Sequence, residues 1–412
     1  MITTDKTMTE FTGGNVKNNK LIHAVALLGT LTVAASSYAN EKTGIEYSGS
    51  GFMTIGLGKM LGGTRANVSD YDCPCFNADY AQGSIYDGRS GLQWRPDTKI
   101  GVQGSASLDN FSLTAQVVAR SAYKGSAGLE WLYGSYKMND NFTFQIGRKR
   151  LPMFYYSDVQ DIGVALPWAH LPPQLYGWEA VNYNGVNVRY QDQFGDWSAT
   201  MNLLAGNETR KESGYWKVYY GRQNRTDVKW SNLIGGDLLL SKDWLETRLV
   251  YIQSDTQTKI VNGIWDPAIP GYDPAFIDAS FYPDPPYKQK IYGIALNADF
   301  DNWLVRTEYI YIDRPGASWK DYANMVGIGY RYEKWQPMVT YSKYWGAAVV
   351  EQGGDPDGLE GHASIALTLR YDLTTSSAVK LQYDDQRDQS GPNWAPNWGS
   401  ARLLTFTYDT VF

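Results

Sequence analysis

From residue 97 to the C-terminus the chain keeps one rhythm. A short segment of alternating apolar and polar residues ends in a tiny turn, a second such segment follows, and then comes a long irregular stretch. Alternation of period two is the mark of strands. Sixteen such segments can be drawn, at 45–57, 97–107, 111–120, 129–138, 142–148, 181–190, 196–205, 227–240, 244–254, 288–300, 303–312, 323–332, 335–344, 362–372, 377–384 and 400–412. Every other connection is tiny: "LDN" at 108–110, "NDN" at 139–141, "DQFGD" at 192–196, "SKD" at 241–243, "DN" at 301–302, "EK" at 333–334 and "LTTSS" at 373–377. Most of these are the Asp, Asn, Gly and Ser turns of tight hairpins. The alternate connections, at 58–96, 121–128, 149–180, 206–226, 255–287, 313–322, 345–361 and 385–399, are long. Short turns at one end, long loops at the other and an even strand count predict an all-β, transmembrane, antiparallel β-barrel of about 16 strands. A soluble sandwich has no reason to hold that asymmetry throughout.

The faces agree. In "FSLTAQVVAR", Phe111, Leu113, Ala115, Val117 and Ala119 share one parity, with Ser112, Thr114, Gln116 and Arg120 on the other. In "ASIALTLRYD", Ile365, Leu367, Leu369 and Tyr371 oppose Ala366, Thr368, Arg370 and Asp372. An apolar outside suits hydrocarbon, a polar inside suits water, and closure leaves no unpaired strand edge. Trp131, Tyr133, Trp197, Trp230, Trp244, Trp303 and Trp335 gather near strand ends, where an interfacial girdle is expected.

Composition narrows the class further. Charged residues are 19% of 412, while 31 Tyr, 15 Trp and 41 Gly favour strands and turns over helices. A net charge of −6 without a basic tract argues against nucleic acid. At 20–39, "KLIHAVALLGTLTVAASSYA" follows Lys17, carries an apolar run from Leu21 to Ala35 and ends in Ser37-Tyr38-Ala39. This reads as a signal peptide over 1–39, with the barrel over 40–412. Its apolar run is shorter than the roughly 20 residues a spanning helix needs. Cys73 and Cys75, in "DCPCF", suit a clip on a loop tip better than a zinc site, which wants four ligands. No metal or cofactor is expected.

The last strand, "LLTFTYDTVF", puts Leu404, Phe406, Tyr408 and the terminal Phe412 on one parity. With the leader and the sixteen strands, this resembles the trimeric outer-membrane porins of diderm bacteria. The resemblance implies a homotrimer in the outer membrane, surrounded by lipid, and makes Phe412 the signal read by the barrel-assembly machinery. It also implies that the third long loop folds into the barrel and narrows it. Here that loop is 149–180, within "GRKRLPMFYYSDVQDIGVALPWAHLPPQLYGW", and its "RLPMFYYSDVQDIGVALPW" resembles the loop of an uncharacterised proteobacterial branch. It lacks the "PEFGGD"-type tip of the enteric general porins, so their site residues do not carry over.

The physical reading of the loop is independent. A bare sixteen-stranded barrel leaves a wide aqueous channel. Apolar residues such as Leu151, Phe154 and Trp168 can pack the loop inward, and Pro152, Pro167, Pro172 and Pro173 restrict it. Asp158 and Asp161 are then expected near the pore centre, facing Lys99, Arg120 and Arg189 on the wall and Arg148, Lys149 and Arg150 at the loop root. Opposed charges would set a field across the constriction, which favours ions and polar solutes. The expected function is passive diffusion of small hydrophilic solutes and ions, or else selective passage of sugars or small organic anions. An excess of inward cations suggests anion preference. An enzyme is not expected, since His170 and His362, the histidines left after the leader, show no sequence-evident partner. A soluble sugar-binding β protein is the other rival.

Overall fold

Sixteen antiparallel strands close on themselves in the computed structural model, which describes residues 38–40, 44–66, 73–122, 127–220, 225–262, 280–394 and 399–412. They are β1 (Ile45–Gly63), β2 (Lys99–Leu108), β3 (Phe111–Arg120), β4 (Ala127–Lys137), β5 (Phe142–Arg150), β6 (Asn182–Phe194), β7 (Trp197–Arg210) and β8 (Arg225–Lys242). The second half is β9 (Leu245–Asn262), β10 (Tyr282–Phe300), β11 (Trp303–Asp313), β12 (Trp319–Tyr330), β13 (Trp335–Ala348), β14 (Gly361–Asp372), β15 (Ser377–Asp388) and β16 (Ala401–Val411). Each pairs with the next in sequence, and β16 returns to β1, from Val411 opposite Phe52 to Ala401 opposite Gly63. Phe412 completes the seam: its N–H donates to Gly51 O at 2.8 Å and its carbonyl accepts from Gly51 N at 2.6 Å. Tyr38–Asn40 adds a short strand beside β1, and the rest of the expected leader lies outside the described residues.

The short turns explain themselves. Asp109, Asp243 and Asp301 have φ of 51°, 50° and 50°, the left-handed conformation that two-residue hairpin turns require and Asp tolerates. Several strands run further toward the long loops than alternation alone suggests. β8 and β9 have 18 residues each, against the roughly 9–11 that cross a bilayer. Their outer ends stand above the membrane.

Burial is inverted relative to a soluble protein. Ile146, Val102, Leu113, Leu203, Ile365 and Leu367 are exposed, while Thr54, Gln116, Asn187, Ser254, Gln289, Thr340, Gln382 and Thr405 are buried. Outside likes hydrocarbon and inside likes water. Two aromatic bands bound the apolar belt. Near the short turns lie Phe111–Tyr136, Phe142–Tyr190, Trp303–Tyr330 and Trp335–Tyr371, with centroids 4.5 to 5.0 Å apart. Toward the long loops, Tyr251, Tyr292, Tyr311, Tyr322 and Trp345 stand directly opposite one another on β9 to β13, 5.0 to 5.8 Å apart. Each such pair is worth about 0.5–1.5 kcal/mol beyond its area. Of the girdle expected from sequence, Trp197, Trp244, Trp303 and Trp335 are exposed, but Trp230 is fully buried and Tyr133 turns inward beside Lys149. Proximity to a strand end did not fix which face these rings take.

The long loops partly fill the mouth. In 64–98 a small hairpin, Cys75–Asp79 with Ser84–Asp87, buries Phe76 and Tyr86 against Met60, Ala401 and Leu403. Cys73 and Cys75 are disulfide-bonded and pack with Tyr80, Val218 and Tyr219, the last two from a helix at Gly214–Tyr220.

Candidate functional site: the infolded loop and the opposing wall

Residues 151–181 join β5 to β6 and turn into the barrel. The turn begins where Gly147, Gly185 and Gly206 stand opposite one another on β5, β6 and β7. A Cβ at any of them would strike neighbouring backbone, so the strands approach as they could not with larger residues. The segment carries its own apolar body: Leu151, Met153, Phe154, Leu166 and Trp168 are buried, and Tyr156 meets Trp168 edge-on at 5.5 Å.

An irregular segment must satisfy its backbone away from bulk water, and here the wall does so with cations. Arg248 donates to Phe154 O at 3.0 Å and Tyr155 O at 2.9 Å. Arg370 donates to Val164 O at 2.7 Å and Leu166 O at 2.9 Å. Lys380 donates to Gly163 O at 2.6 Å and Trp168 O at 2.7 Å, with Asp409 3.0 Å away. Glu308 accepts from the Tyr155 N–H at 2.8 Å and from the Tyr176 hydroxyl. Trp168 Nε1 donates to Thr340 at 2.8 Å, and Gln382 accepts from the Ala169 N–H at 2.8 Å. Gly163 is required at its place, because a Cβ there would strike Asp409 Oδ1 and Thr54 Oγ1.

The buried tip of the loop is an ionic hub. Asp161 accepts from Arg120 and from Arg150, each at 2.6 Å, with Lys99 at 3.7 Å. Glu130 pairs with Arg120 at 2.6 Å and Arg150 at 3.2 Å. Burying charges costs several kcal/mol each, and only dense mutual pairing returns it. Burial alone would raise the Asp161 pKa; Arg120, Arg150 and Lys99 outweigh it and hold the carboxyl well below the usual range.

A second clamp follows along the loop. His170 Nδ1 lies 3.2 Å from Asp97, and Nε2 lies 3.3 Å from Asp384 on β15. Burial would lower the imidazole pKa, but the two carboxylates outweigh it and raise it to about 10. Asp97 also accepts from the Tyr86 hydroxyl at 2.6 Å, which ties the first long loop to the third.

Residues 151–170 make no hydrogen bond to β6, β7 or β8 among the described residues. Asp158 is exposed while its neighbours Ser157 and Val159 are buried. It acts electrostatically on Lys149, Tyr133 and Tyr183. Lys149 sits 5.1 Å over the Tyr133 ring and bonds Gln145. Arg189, next along the wall, forms no ion pair among the described residues.

The sequence-named residues therefore divide three ways. Lys99, Arg120, Arg150 and Asp161 meet in the hub; Lys149, Arg189 and Asp158 form a second, separate group. Arg148 does neither. It shares the outward parity of Phe144 and Ile146, stands opposite Leu132 and Asn184, and pairs with Glu208 at 2.9 Å. The cation run 148–150 spans both parities, so one member had to face outward. Glu130 was missed because a β-bulge in β4 opposite Gln116 and Val117 shifts the parity there. The partners of His170 are more than 70 residues away in sequence, beyond any local signal.

No family model matches the chain, and no curated protein matches it. Solved structures do. OmpF of Salmonella typhi, in complex with daunomycin, aligns over 90% of this chain and 99% of its own, with a TM-score of 0.54 at 11% identity. The outer membrane channel DcaP of Acinetobacter baumannii aligns over 91% and 99%, with a TM-score of 0.53 at 10% identity. The chain has the sixteen-stranded porin fold. An anion-selective porin from Comamonas acidovorans aligns over 89% and 100%, with a TM-score of 0.50 at 12% identity. At such identities the likeness is one of fold, and site chemistry rests on the residues of this porin-type barrel itself.

Proposed function

We propose that the chain is a porin-type channel of the outer membrane of a Gram-negative bacterium, passing small hydrophilic solutes and ions by passive diffusion. One observation carries this reading. The barrel is closed, apolar outside and polar inside, and wall side chains of β9, β14 and β15 tie down its third long loop; the exposed Asp158 of that loop, with Lys149 and Arg189, is our reading of the passage. Such a passage aligns polar solutes and rejects apolar ones. Lys149 and Arg189 outnumber Asp158, which favours anions; Tyr133 beside them suits sugars or small organic anions as a selective cargo. Enzymatic chemistry is disfavoured, because both His170 nitrogens are engaged by carboxylates.

Purified protein in a planar bilayer under a salt gradient tests the reading. Stepwise conductance with a reversal potential of anion-selective sign is expected; an absence of channels overturns it, and clear cation preference overturns the anion assignment. A homotrimer is proposed on the resemblance, and cross-linking of the detergent-solubilised protein tests it.

A further inference from the structure

The outer wall carries a groove that starts beside the short turns. It is an open hollow of about 560 Å³ across β11 to β16, and no charged side chain lines it. That volume falls within the roughly 300–1,000 Å³ of ligand-sized sites. Its course is oblique to the strands. It begins at Trp303, the first residue of β11, and Tyr330, the last of β12, passes Pro337 and Leu369, and reaches Tyr383 and Leu404 well inside β15 and β16. Trp303, Leu369 and Leu404 are exposed, as an outward face requires. Because the short turns mark one rim of the barrel, the groove rises from that rim. One end lies at the aromatic band, where Trp303 meets Tyr330 edge-on at 5.0 Å, and the other lies in the apolar belt.

The second, independent sign is Pro337. Proline is out of place in an interior strand, since it has no N–H to give to the ladder. Tyr332 and Trp335 exchange both backbone bonds, at 2.8 and 2.9 Å, so the next hydrogen-bonded pair along an antiparallel ladder is Tyr330 with Pro337. There the ladder is broken: the β12–β13 register ends at Gly329 opposite Met338. Pro337 is exposed and lines the groove, its ring shorter than the Trp335 side chain on the same parity. A backbone bond is forgone to keep a short, rigid side chain at this point of the lipid face.

We infer that this groove seats one acyl chain of a membrane phospholipid, with the glycerol and headgroup at its Trp303–Tyr330 end. Interfacial rings mark the headgroup level, and the groove runs from there into hydrocarbon depth, which is the path of a lipid chain. Escape from water does not retain the chain, since bulk lipid is equally apolar; contact with a fitted wall does. The inference rests on the barrel and its apolar belt, and stands whether or not the channel reading holds.

The test is native mass spectrometry of the folded full-length protein in a mild detergent, titrated with dipalmitoyl phosphatidylethanolamine. One lipid per barrel should be retained ahead of all others. Val339→Trp and Leu369→Trp, which fill the groove, should each weaken that first lipid on the order of tenfold, about 1.4 kcal/mol. Leu203→Trp, on the outward face of β7, should retain it as wild type does. Pro337→Val separates the groove from folding. It restores the missing N–H, so the unfolding temperature should hold or rise while the lipid is bound more weakly. Circular dichroism confirms the barrel in each variant. The inference is overturned if binding follows the statistical series of equal weak sites, or if the groove-filling variants retain lipid at wild-type strength. It is also overturned if filling the groove breaks a complex between copies of the chain, which would make the occupant a second copy.

Discussion

Asp158 and Asp161 lie within one turn of the same loop, yet they answer to different neighbours. Asp158 is exposed, so Asp158→Asn should leave folding intact and, on the proposed function, move the reversal potential further toward anions. Asp161 holds three cations in a buried hub. Asp161→Asn should cost about 3–5 kcal/mol, the usual loss when a buried pair is broken from one side, read as a lower unfolding temperature with noisy, enlarged conductance. His170 gives a pH test. Its folded pKa is raised to about 10, so its contribution is full below the unfolded imidazole value of about 6.5 and is lost as pH rises through about 10. Thermal unfolding followed from pH 6 to 11 should show that decline in wild type and a flatter profile in His170→Gln. At this scale the sequence was half legible. Parity put Lys99, Arg120 and Arg189 on the inner face, but it could not tell paired Asp161 from exposed Asp158, nor see Glu130 past a bulge.

Among the elements, the infolded loop is held by cations rather than by an apolar core alone. Lys380, fully buried, grips two loop carbonyls and Asp409. Lys380→Met should strand the Asp409 charge and release the loop, seen as faster proteolysis within 151–181 and a larger single-channel conductance. Gly163→Val should do the same with the charges intact, since the added side chain strikes Asp409 and Thr54. Agreement of the two variants would locate the effect in loop docking rather than in lumen charge. The loop's irregularity was readable from its broken alternation and its prolines, whereas its infolding was an expectation that came with the resemblance. The strands that hold it were not: Arg370 reads from sequence as one more inward polar residue, and it proves, with Arg248 and Lys380, to be a tie to the loop's backbone.

For the molecule as a whole, the alternation of short and long connections foretold topology, strand number and closure, because period two and turn chemistry are local properties. Which rings form the second aromatic band was not foretold, since it depends on register across five strands. Among the described residues that band covers β9 to β13. Tyr311→Ala, at its centre, should lower the unfolding temperature in lipid more than in detergent, as interfacial anchoring requires. The loop's one-sided attachment has a consequence of its own. A traveller through this tube meets two unlike banks, a fixed woven shore of strands and a moored jetty, so changes to the moorings would alter how large a cargo fits while changes to the shore would alter which cargo is welcome, and the two traits could drift apart independently over generations.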